Sequence, residues 1–137
     1  WVRRRPATHG DHRGAADRSA GLSPGGIALV LALVEDLGVG PVRDVGVLEA
    51  VARRPMTSLW GREVYPDLEE KAAALLESIV RAHPLVDGDT RLGWLSTVAL
   101  LDLNGRWPDA PDAYDLVIAV ASGAPDLSPV TDTLRRW

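Results

Sequence analysis

Apolar residues recur at helical spacing in six stretches of the chain, and each stretch is bounded by Gly, Pro or Asp. The first carries Ile27, Val30, Leu31, Val34 and Leu37, opens at Ser23-Pro24 and closes at Gly38. A shorter one follows Asp44 with Val47, Leu48, Val51 and Ala52, and stops before Pro55. The third is capped by Asp67 and runs Leu68, Ala72, Leu75, Leu76, Ile79 and Val80 to His83, with Glu69 and Glu70 in its first turn and Pro84 at its end. The fourth, from about Asp89 to Asn104, is apolar on nearly all sides, which marks a buried central helix. Tyr114, Val117, Ile118 and Ala121 make a fifth, and Ser128-Pro129 opens a sixth with Val130, Leu134 and Trp137 on one face. The pattern predicts helices over 24–37, 44–53, 67–83, 90–104, 112–122 and 129–136. Residues 55–66 read as a loop or a small hairpin. The expected fold class is all-α, a compact bundle of about six helices around the buried helix 90–104.

Residues 1–22 show no apolar periodicity and are rich in Arg, Gly, Ala and His. They read as a flexible basic tail, leaving residues 23–137 as the single domain. Residues 1–20 are net +3 and the remainder net -7, for a total of -4 over 137 residues. An acidic body argues against direct nucleic-acid binding. The longest apolar run, Ile27 to Val34, is too short to span a bilayer. With no cysteines there are no disulfides and no thiolate chemistry, which fits a reducing, cytoplasmic setting.

The chemistry gathers in His83-Pro84-Leu85-Val86-Asp87-Gly88-Asp89-Thr90-Arg91, a polar turn between two of the most apolar helices. Gly88 allows a positive φ or a close backbone approach. Asp89 or Thr90 can cap the next helix, which puts Arg91 in its first turn. A cation there opposes the helix dipole unless an anion sits beside it, held by free N–H groups and the guanidinium together. Asp87 can hold a divalent cation with phosphate oxygens as co-ligands, and His83 is placed to be a general base. Taken singly, His83 also reads as a helix-end histidine, Asp87-Gly88 as a plain turn and Arg91 as half of a surface ion pair.

The same segment resembles the Fic/Doc (Fido) signature, His-x-Phe-x-Asp/Glu-Ala/Gly-Asn-Lys/Gly-Arg, with His83, Asp87, Gly88 and Arg91 at matching positions. Arg81-Ala82 before it, Leu103-Asn104-Gly105 after it, and Val39-Gly40-Pro41-Val42-Arg43-Asp44 in the N-terminal half are also similar to death-on-curing members of the family. The resemblance covers about residues 23–137. It implies that His83 deprotonates a target hydroxyl and that Asp87 binds Mg2+. Gly88, Asp89, Thr90 and Arg91 would form the phosphate and nucleotide site for ATP, and the 56–66 loop would be a flap over a target peptide. The implied activity is phosphoryl transfer from ATP to a protein such as elongation factor Tu. AMP transfer, or a binding protein with a decayed site, are the alternatives. Self-inhibiting members carry Ser/Thr-x-x-x-Glu-Gly/Asn, which this sequence lacks, so a separate Phd-like antitoxin is expected. Three positions depart from the signature. Leu85 replaces Phe, Asp89 stands where Asn is usual, and Thr90 replaces Lys or Gly. The last two make the site more negative than the signature does.

Overall fold

The computed structural model describes residues 26–123 and 126–137. The expected tail 1–22 and the Ser23-Pro24 helix start lie outside the described residues. Six helices follow: α1 Gly26–Leu37, α2 Val45–Arg53, α3 Leu68–Ala82, α4 Asp89–Leu103, α5 Ala113–Ala121 and α6 Leu127–Arg136. Arg54–Met56 is a 3-10 turn continuing α2. A two-stranded antiparallel hairpin, β1 Ser58–Leu59 and β2 Arg62–Glu63, pairs Ser58 with Glu63 and Leu59 with Arg62. The all-α expectation holds, and of the two readings of residues 55–66 the hairpin is the one found.

Asp44 caps α2 as expected, accepting from the Val47 N–H at 3.1 Å. Asp67 occupies the cap position of α3, but its carboxylate makes no cap bond and pairs with Arg135 of α6 at 2.9 Å. Helix α6 begins at Leu127, two residues before the expected start. Asp126 takes its cap position, and Pro129 sits in the first turn, where a missing N–H costs no helical bond.

Helix α4 is central, and it shares that place with α3. Leu92 and Leu101 of α4 and Leu76 and Ile79 of α3 are fully buried, each contributing about 1.5–3 kcal/mol by leaving water. Helix α3 packs against α2, the 3-10 turn, α4, α5 and α6, while α4 packs against α1, α3 and α5. The close α3–α4 approach depends on Gly93, where a Cβ would lie 2.8 Å from Val80 Cγ2. Trp94 of α4 meets Trp137 edge to face, ring centroids 6.1 Å apart, tying the end of α6 to the centre. Arg106 fastens the loop after α4. It pairs with Glu69 at 2.7 Å and donates to the Leu134 and Arg135 carbonyls. No helix among the described residues is long and apolar enough to cross a membrane.

Candidate functional site

Helix α3 ends because His83 adopts a left-handed conformation, φ 53° and ψ 59°, and Pro84 follows without an N–H. A non-glycine residue held there costs on the order of 1 kcal/mol and persists only where its surroundings impose it. Here the surroundings are Arg43. Its guanidinium donates to the Ala82 carbonyl at 3.0 Å and, from both Nε and Nη2, to the His83 carbonyl. These carbonyls are the unsatisfied end of α3, where a cation is favoured.

Residues 40–44 form a strap along the signature turn. The Arg43 N–H donates to the Pro84 carbonyl at 2.7 Å and the Val86 N–H to the Pro41 carbonyl at 2.9 Å. The Gly40 N–H reaches the Asp87 carbonyl, also at 2.9 Å, and Val42 bridges Leu85 in antiparallel register. Leu85, at the Phe position of the signature, is 2% exposed and anchors the turn in the core. The turn that carries the candidate chemistry is thus a short strand edge, paired with a segment more than 40 residues away in sequence.

Gly88, not Asp89 or Thr90, stands at the cap position of α4, with φ 98°. This corrects the expected capping. A glycine is required here because a Cβ would lie 2.6 Å from both Cβ and Cγ1 of Val39. Asp89 becomes the first helical residue, and its carboxylate points back into the turn. One oxygen accepts from the Leu85 N–H at 2.9 Å, and the other lies 3.3 Å from His83 Nδ1. The Asp89 side chain is 12% exposed, that of His83 63%.

His83 and Asp89 are therefore brought together. Asp87, Thr90 and Arg91 are exposed, and their side chains make no hydrogen bond or ion pair among the described residues. The described residues hold no group of three or more His, Asp or Glu suited to a metal. One carboxylate suits magnesium bound mainly through substrate phosphates and water rather than in a protein cage.

The hairpin is braced from below. Arg54 donates to Tyr65 Oη at 3.1 Å, to Glu77 at 3.0 Å and to Ser78 Oγ at 2.7 Å. Burial works against the Arg54 charge, but the bonds and charges of Tyr65 and Glu77 outweigh it and raise its pKa above the ordinary value. Lys71 holds the other side, donating to the Tyr65 carbonyl and pairing with Glu63 at 3.1 Å. Above this root the hairpin exposes Leu59, Val64 and Trp60, the last 92% exposed. An open cleft of about 530 Å³ runs between α2 and α3, lined by Arg53, Arg54, Thr57, Glu77, Arg81 and Ala82.

Arg43, Val39 and Arg54 carry this arrangement, and the residue pattern alone did not single them out. Gly40-Pro41 reads as a turn rather than a strand, and nothing local names Leu85 as the partner of Val42.

Comparison with known proteins agrees with the signature. The profile described as Fic/DOC family matches residues 27–101. Toxin Doc of Mycolicibacterium smegmatis (strain ATCC 700084 / mc(2)155) is 40% identical over 97 residues, covering 68% of this chain and 75% of that protein. Protein kinase doc of Escherichia phage P1 is 33% identical over 100 residues, covering 72% of this chain and 79% of that protein. With the profile spanning more than half of the chain and two relatives matched over three quarters of their length, this chain belongs to the Fic/DOC family.

Proposed function

We propose that this protein is a Doc-like toxin of a toxin–antitoxin module that moves the γ-phosphoryl group of ATP to a hydroxyl of a target protein. The observation that carries this reading is the strapped turn 83–91. It presents an exposed imidazole at the end of α3 and, in the first turn of α4, a guanidinium with no partner among the described residues. The names of the two relatives, toxin and protein kinase, support it.

His83 takes the proton of the target hydroxyl as that oxygen bonds to the γ-phosphorus. The bond from phosphorus to the β–γ bridging oxygen breaks, and ADP leaves. The first N–H groups of α4, unpaired within the helix, bind phosphate oxygens together with Arg91. Asp87 would hold magnesium, which neutralises charge on the β- and γ-oxygens. The hairpin and the α2–α3 cleft supply the surface for the target segment, and elongation factor Tu is the first target to test. An antitoxin of the Phd type would bind as an amphipathic helix beside the site.

The test is incubation of the purified chain with elongation factor Tu or cell extract and ATP labelled at the α- or the γ-phosphate. Retention of γ-label on a protein, lost in His83→Ala, is the expected result. Retention of α-label identifies AMP transfer instead. Label from neither position rejects the enzyme reading and leaves a Fido-fold binding protein.

A further inference from the structure

We infer that Asp89 is the positioning residue of His83, its carboxylate selecting the ring tautomer that leaves Nε2 free to take a proton. The inference rests on the reading of His83 as the base of the proposed transfer.

The two Asp89 oxygens are divided between two tasks. Oδ1 accepts from the Leu85 N–H at 2.9 Å, which fixes the carboxylate to the backbone of the turn. Oδ2 lies 3.3 Å from His83 Nδ1. An ionised carboxylate has no proton to give, so the nitrogen that faces it carries the N–H. A neutral imidazole has only one N–H. Nε2 therefore keeps its lone pair, on a side chain that is 63% exposed.

This gives a role to a departure from the signature. An asparagine at 89 that kept its oxygen on the Leu85 N–H would turn its amide NH2 toward His83 Nδ1. A donor there calls for a bare Nδ1 and puts the proton on Nε2, the opposite tautomer. In this chain the carboxylate fits the ring as found, and its small exposure shows that it faces the turn more than the solvent.

The test is a long-range nitrogen–proton NMR correlation of the full chain, recorded with the imidazole neutral. The chain has three histidines, His9, His12 and His83, so His83→Gln assigns the signals by difference. In the native protein His83 is expected to show a protonated Nδ1 and a bare Nε2. In Asp89→Asn, which can still accept the Leu85 N–H, that pattern is expected to shift to the Nε2–H form. In the transfer assay kcat should fall about 10- to 100-fold, a part of the ~10²–10⁴-fold a general base supplies, while KM for ATP should not rise, since the substitution removes a negative charge from the phosphate site. A native His83 protonated on Nε2, or a spectrum that Asp89→Asn leaves unchanged, overturns the inference. The native measurement needs only the His83→Gln assignment and stands even if Asp89→Asn fails to fold. A native chain with the expected tautomer that transfers nothing from ATP sinks the proposed function and not the positioning.

Discussion

Gly88 and Val39 touch so closely that no side chain fits between them: a Cβ on Gly88 would come within 2.6 Å of Val39 Cβ. The contact pins the start of α4 against the segment that leads from α1 into the strap. It also keeps the φ of 98° that an L side chain resists. Gly88→Ala should destabilise the chain by about 1–3 kcal/mol through overpacking, with backbone strain in addition. Adding Val39→Ala should restore little of the loss, because the Val39 Cβ that lies 2.6 Å from the new side chain remains and φ is not relieved. Denaturant unfolding of the single and double variants checks this. Equal stability of Gly88→Ala and the native chain would mean that the close approach does not exist.

Arg43→Ala should loosen the end of α3. The guanidinium bonds to the Ala82 and His83 carbonyls lie at an exposed site, so their loss should cost about 1.5 kcal/mol, the low end for bonds involving a charge. Arg43→Lys should recover little, since an ammonium cannot present the same fork. Hydrogen exchange at the Val86 and Arg43 amides, both paired across the strap, should accelerate in both variants. Unchanged exchange at these two amides would show that the strap holds without the guanidinium.

Much of this was legible along the chain and some was not. Helix bounds were readable where one residue decides them, as with Asp44 before α2 and Pro84 after α3. The signature spacing was readable because it spans only nine residues. The strap was not, because Val42 and Leu85 pair across 43 residues and neither run is long enough to announce a strand. Capping of α4 was misjudged because propensity favours Asp or Thr at a cap, whereas Val39 leaves room only for glycine. Asp89 showed as an extra negative charge at a phosphate site. Its position against His83 and Leu85 appears only once the turn is folded.

Ser96 sits in the middle of α4, 0% exposed, and its hydroxyl has no hydrogen-bond partner among the described residues. Thr97 beside it is satisfied by the Gly93 carbonyl at 2.8 Å. A buried hydroxyl without a partner is costly, and alanine is the better helix former. Ser96→Ala should therefore raise stability by about 0.5–1 kcal/mol in urea unfolding. A loss of more than that amount would reveal a partner for the hydroxyl.

The most direct test of the strapped turn as a phosphate site is calorimetric titration of magnesium-ATP into the native chain and three variants. Arg91→Ala should weaken binding by about tenfold or more, the equivalent of ~1.4 kcal/mol. Thr90→Lys should tighten it about fivefold, since an added cation about 4 Å from a phosphate contributes ~1 kcal/mol in water. His83→Ala should bind like the native chain, because its role is proton removal. Native-like affinity in both Arg91→Ala and Thr90→Lys would contradict the account, since the turn would then not be where the phosphates bind.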